Sequence, residues 1–89
     1  MSVLCVVGTV CGVTQLHDVV YMVCDESSTI RRFNATTHQR LTDIVVKDLS
    51  RPVDIVACER TSQLYVPDSL KECVWRVSSD GEDLSLIHI

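Results

Sequence analysis

A set of four short apolar segments separated by polar turns occurs twice along this chain of 89 residues, and this repeat restricts its fold most. The predicted strands of the first half are Val10–Leu16, Val19–Cys24, Thr29–Asn34 and 41–46. Those of the second half are 53–58, 63–66, 73–77 and a fourth that begins near Leu84. Apolar residues recur at spacing two or in short runs, which predicts strands and no amphipathic helix.

The two halves can be aligned with each other. Asp25 aligns with Asp68 at an offset of 43 (68−25), whereas Arg32 aligns with Arg76 at an offset of 44 (76−32). We therefore expect one inserted residue in the turn between the second and third strands. A period in the low forties is typical of repeated four-stranded units.

The composition agrees with an all-β fold. Hydrophobic residues make up 46% of the chain and aromatic residues only 4%, and the prominent Val and Ile side chains suit pleated strands. We expect two antiparallel four-stranded sheets, formed by residues 10–46 and 47–89. Residues 1–9 are expected to form a leading strand or the end of a preceding unit.

Residues 51–81 also follow a recognisable order of residue types. Its elements are Pro52, Ile55-Val56-Ala57, Leu64-Tyr65-Val66, Asp68, Val74-Trp75-Arg76-Val77 and Asp80-Gly81. This order resembles the NHL repeat of β-propellers. The resemblance implies that each half is one propeller blade, that the two blades form an incomplete ring, and that the chain is a piece of a longer protein.

In propellers, one face of the ring gathers the turns that follow the second strand of each blade and those that join successive blades. The candidate contact residues in these turns are Asp25, Glu26, Lys47, Arg51, Asp68 and Lys71. The resemblance implies that Asp25 and Asp68 cap their turns by accepting backbone N–H bonds.

Four other residues are assigned structural roles. Pro52 opens the first strand of the second half. Arg32 and Arg76 are expected to pack their aliphatic stems between blades and to direct their guanidinium groups at a carboxylate. Trp75 is interpreted as part of the packing between blades, with an interface anchor as the alternative.

The function predicted from these features is a non-enzymatic scaffold that binds a protein partner. An RNA partner has weaker support, because the formal charge is −4 and Arg31-Arg32 is the longest basic block. The alternative is part of a metal-dependent propeller hydrolase or lyase, although the predicted innermost strands offer Asp54 as their one carboxylate. A third interpretation is a truncated translation product without independent function. Its open sheet edges are expected to make the isolated chain self-associate.

No cofactor or metal is predicted, because the five cysteines contain no C-x-x-C pair. Their odd number favours reduced thiols and a cytoplasmic location over a secreted one. The apolar N-terminus lacks a basic region and is shorter than the roughly 20 residues of a membrane span.

The last six residues, 84–89, have a second explanation. One choice of codons for Leu-Ser-Leu-Ile-His-Ile reproduces the mosaic-end adapter of transposase-made sequencing libraries. We expect the native transcript to diverge from this sequence after Asp83. Sequencing that transcript tests the prediction, and an unbroken genomic frame that encodes the same hexapeptide would contradict it.

Overall fold

The computed structural model of the chain describes residues 10–25 and 27–88. Its strands are β1 (Val10–Leu16), β2 (Val19–Cys24), β3 (Thr29–Asn34), β4 (Arg40–Val45), β5 (Val56–Cys58), β6 (Gln63–Asp68), β7 (Cys73–Ser78) and β8 (Leu84–His88). The first sheet has the order β1-β2-β3-β4 and the second sheet the order β5-β6-β7-β8. Neighbouring strands are antiparallel throughout. The protein is therefore all-β, and the described sheets do not close into a barrel.

The predicted strands lie close to the observed ones, with one clear exception. β5 begins at Val56 rather than at Val53. The N–H of Val53 donates to the carbonyl of Pro67, 3.1 Å away, and the N–H of Ile55 donates to the carboxylate of Asp54 at 2.8 Å. The bond from Val53 and the bridge between Pro52 and Asp68 keep this segment beside β6, but the N–H of Ile55 is used locally. The continuous ladder therefore begins only at Val56. No helix in the described part of the chain is long and apolar enough to cross a membrane.

Pro67 lies at the next-to-last position of β6, near the strand end that its missing N–H predicts. The pairing of β5 with β6 has already stopped at Tyr65. Pro67 still lies opposite Val74 of β7. The proline is tolerated because the β5 ladder does not extend to it.

The strand pairing in the two sheets corrects the alignment of the two halves of the sequence. Tyr21 lies opposite Arg32 in the first sheet, and Tyr65 lies opposite Arg76 in the second. Both strands therefore repeat with one offset of 44 (65−21 and 76−32). The predicted inserted residue is wrong, because the turns 25–28 and 69–72 have equal length.

The misalignment has a physical cause in β2. Four successive residues from Tyr21 to Cys24 are buried there, so both faces of the strand are apolar. A hydrophobic pattern fixes the register only where one face is polar. With the offset of 44, Asp68 corresponds to Cys24 rather than to Asp25.

Each sheet has one face that carries its strand-two tyrosine, and we call this the tyrosine face. On the first sheet it is formed by Tyr21, Val23, Ile30 and Arg32, and on the second sheet by Tyr65, Pro67, Val74 and Arg76. The other side of each sheet is its opposite face. On the second sheet this is formed by Leu64, Val66, Trp75 and Val77.

The core lies between the two sheets. It joins the buried side chains of the first sheet's tyrosine face to those of the second sheet's opposite face, and Val46, Leu49 and Ile55 of the connecting segment complete it. Unlike faces therefore pack together. The tyrosine face of the second sheet does not take part in this core.

Two hydrogen bonds and one close approach connect the sheets. The hydroxyl of Tyr21 donates to the carbonyl of Ser79 at 2.8 Å, and His17 Nε2 lies 3.2 Å from the hydroxyl oxygen of Ser62. At Gly12, a Cβ would come within 2.8 Å of the backbone nitrogen of Ile55 and 2.9 Å of Asp54 Cα. Only glycine therefore lets β1 approach the connecting segment this closely.

The two matched arginines occupy different environments. Arg32 lies on the covered tyrosine face, and its Nε donates to the carbonyl of Thr42 at 2.7 Å. Arg76 is exposed, and its Nε donates to the hydroxyl of Ser85 at 3.0 Å. In these hydrogen bonds each arginine thus binds the fourth strand of its own sheet. The expectation that the guanidinium groups face a carboxylate stays a prediction.

We predict that Gly12→Ala destabilises the protein by about 1–3 kcal/mol, the usual cost of overpacking. The new methyl group would meet backbone atoms that cannot rotate away. Urea unfolding at fixed protein concentration measures the change. Val53→Ala is the control, because the Val53 side chain is 48% exposed on the connecting segment that Gly12 approaches. Equal stability of Gly12→Ala and the parent chain would contradict the packing.

Candidate functional site: the turn cluster

Three turns meet at one end of the two sheets, and we call their described residues the turn cluster: Asp25, 27–28, 46–52 and 68–72. The N–H of Val46 donates to the carbonyl of Ser28 at 2.8 Å, and the N–H of Ser69 donates to the carbonyl of Arg51 at 3.0 Å. The segment that connects the sheets is thereby tied to a turn of each sheet. Glu26, one of the predicted contact residues, lies outside the described residues.

Asp68 is the centre of this arrangement. It ends β6 with 1% of its surface exposed. Its carboxylate accepts backbone N–H bonds from Ser50 at 2.8 Å and from Arg51 at 3.1 Å. It also accepts N–H bonds from Leu70 at 3.2 Å and Lys71 at 3.4 Å. One side chain thus caps its own turn and holds the connection between the sheets.

The ionised form of Asp68 is the stable one in this site. Burial raises the pKa of the carboxyl group, but the N–H donors of Ser50, Arg51 and Lys71 and the indole of Trp75 lower it. The hydrogen bonds prevail, and the pKa of Asp68 lies below its ordinary value. A carboxylate bound by several N–H groups is favoured in its charged form in this way.

Trp75 connects the cluster to the core. Its ring is half-buried and packs against the core side chains, and its indole Nε1 lies 3.4 Å from Asp68 Oδ2. The ammonium group of Lys71 lies 5.9 Å from the ring centroid and also donates to the carbonyl of Asp48. Trp75 therefore occupies the position between the sheets that the sequence predicted.

The outer surface of the cluster carries mixed charge. Arg51 Nε lies 3.8 Å from Asp25 Oδ1, with side chains that are 53% and 44% exposed. An ion pair this exposed contributes little to stability. Lys47 and Asp48 are exposed beside them, and Leu70 is 69% exposed. The surface combines an apolar side chain with alternating charges.

The turn cluster offers surface contacts and does not enclose a cavity. No pocket is present on the described surface. No three His, Cys, Asp or Glu side chains of residues 10–25 and 27–88 approach one another closely enough to hold a metal ion. The carboxylate of Asp68 is already occupied by its N–H donors. The residues of the cluster therefore present polar and apolar groups on an exposed surface.

The structure brings five of the six predicted contact residues into this cluster. Asp68 accepts the turn N–H bonds that were predicted for it. The sequence did not reveal its bonds to Ser50 and Arg51, because these residues lie 18 and 17 positions away. Asp25, which was expected to act in the same way, instead lies beside the guanidinium group of Arg51.

Comparison with family models, curated proteins and solved structures finds no match to this chain.

We predict that Asp68→Asn destabilises the chain at neutral pH by about 1.5–3 kcal/mol, the range for hydrogen bonds to a charged group. The lowered pKa makes the stabilisation by Asp68 fully present above the unfolded-state value of about 3.9. It is lost as the pH falls through the folded-state pKa. Denaturant unfolding from neutral to acidic pH should therefore show a shallower loss of stability in the variant.

Asp48→Asn is the matched control, because it removes an exposed carboxylate from the same cluster. The control should keep the stability and pH dependence of the parent chain. If Asp68→Asn matched the control at every pH, Asp68 would not hold the cluster together.

Proposed function

We propose that the chain is a non-enzymatic scaffold made of two consecutive NHL-type propeller blades, and that its turn cluster binds a segment of a protein partner. The observation that carries this proposal is the fixed position of the cluster. Asp68 holds the connection between the sheets and its own turn with one buried carboxylate. A rigid scaffold that presents polar turns is the usual basis of binding loops.

The blade assignment has four supports. Each sheet is a four-stranded meander, the repeat offset is 44 (65−21), and unlike faces of the two sheets pack together. β1 and β5 also contact each other, as innermost strands of neighbouring blades do. A propeller is built by radial repetition of such units.

The chemistry of the cluster indicates which kind of partner it takes. Leu70, 69% exposed, provides apolar contact, and the exposed side chains of Lys47, Asp48 and Arg51 add both signs of charge. A partner segment with one apolar anchor and flanking charged residues would match this surface. Nucleic acid is a poorer match, since the charges do not form a basic stripe.

A random linear-peptide library selected against the immobilised chain provides the probe for this function. We predict that a selected peptide binds the parent chain in calorimetry and that Leu70→Lys weakens the binding about tenfold, or about 1.4 kcal/mol. Lys47→Glu should also weaken the binding of acidic peptides, because it replaces a positive charge with a negative one. These changes remove contacts at the cluster without touching the core.

Arg60→Glu is the control, because Arg60 is exposed in the turn at the other end of the second sheet. It should leave the affinity unchanged. The proposal would be overturned if no peptide were enriched, or if Arg60→Glu reduced the affinity while Leu70→Lys did not.

A further inference from the structure

We propose that the tyrosine face of the second sheet is a docking surface for a second copy of this chain, which contributes the opposite face of its first sheet. The chain already contains the corresponding interface between its own two sheets. This proposal concerns a different surface from the turn cluster, so either can fail without the other.

The two tyrosine faces are equivalent in sequence but not in burial. On the first sheet Tyr21, Val23 and Ile30 are at most 2% exposed, because the second sheet covers them. On the second sheet the matching residues Tyr65 and Val74 are only partly buried, and Val56, opposite Tyr65, is 53% exposed. Apolar positions that are covered in one repeat are uncovered in the next.

The tyrosine hydroxyl groups show the same difference. Tyr21 donates to Ser79 in the neighbouring sheet, whereas the hydroxyl of Tyr65 donates to Gln63 of its own strand at 3.2 Å. With the offset of 44, Ala35 is the residue of the first sheet that corresponds to Ser79. The first sheet of a second copy could pack on this tyrosine face in the way that the second sheet packs on the first. Its Ala35 carbonyl would then accept a hydrogen bond from the hydroxyl of Tyr65.

The turns that supply this acceptor are built alike. The N–H of Ala35 donates to the carbonyl of Asp18 at 2.9 Å, and the N–H of Ser79 donates to that of Ser62 at 3.0 Å. Both the donors and the acceptors differ by 44 positions (79−35 and 62−18). The turn at Ala35 of the first sheet therefore matches the turn at Ser79 of the second sheet, whose carbonyl accepts the hydrogen bond from Tyr21.

The opposite face of the first sheet has apolar side chains for this contact. Val13 and Val45 are 52% and 62% exposed there. A symmetric pairing of two tyrosine faces would instead bring Arg76 near its own copy, and like charges repel. Each copy uses two different faces, so a pair of copies still has one free face of each kind. The assembly therefore continues into a ring or an open chain.

Sedimentation equilibrium over a dilution series tests the docking surface. The parent chain should have the mass of two or more copies, and Val74→Lys and Val56→Lys should shift it to the mass of one copy with an unchanged far-ultraviolet circular dichroism spectrum. Leu70→Lys is the matched control, because it adds the same charge at the turn cluster. It should leave the assembly intact while it weakens peptide binding.

A photocrosslink identifies the partner surface directly. With p-benzoylphenylalanine in place of Tyr65, irradiation should join this position to residues 34–36 of another copy, as mapped by peptide mass spectrometry. A parent chain that is monomeric at every concentration would overturn the proposal. A crosslink to the second sheet of the other copy would also overturn it, as would assembly that survives both lysine substitutions.

Discussion

The packing of unlike faces between the two sheets is the constraint on which the rest of the structure depends. A four-stranded sheet with apolar residues on both faces cannot bury them alone, and the main core cluster of the described residues lies where the two sheets meet. Gly12 allows the innermost strand to approach the connecting segment, and the hydroxyl of Tyr21 reaches across to Ser79. Because the two faces in contact are not equivalent, the same contact can be repeated at the next sheet.

Asp68 fixes the position of the turns at the end of the two packed sheets. Its buried carboxylate accepts N–H bonds from both the connecting segment and its own turn, so the position of one fixes the other. The first sheet has Cys24 at the matching position. The two repeats are therefore alike in their strands and different at their turns. The proposed binding surface depends on that difference, and the proposed assembly depends on the likeness.

The strands could be predicted because spacing and turn residues are local signals: β1, β2 and β3 have their predicted bounds, and Gly81 has the positive φ of 80° expected for its Asp-Gly turn. Two features could not be predicted. The offset was wrong for the second strand, because β2 is buried on both faces and an apolar pattern cannot then choose the register. The bonds from Ser50 and Arg51 to Asp68 form only after the chain has folded back, and no local pattern indicates them.

Nuclear Overhauser effects of the Tyr21 ring test the unlike-face packing most directly. The account predicts effects from the Tyr21 ring protons to protons of Ser79 and Asp80, since the hydroxyl group of Tyr21 lies 2.8 Å from the Ser79 carbonyl oxygen. Effects that connect the ring of Tyr21 to the ring of Tyr65, with none to the turn at Ser79, would show that like faces pack together and would contradict the account.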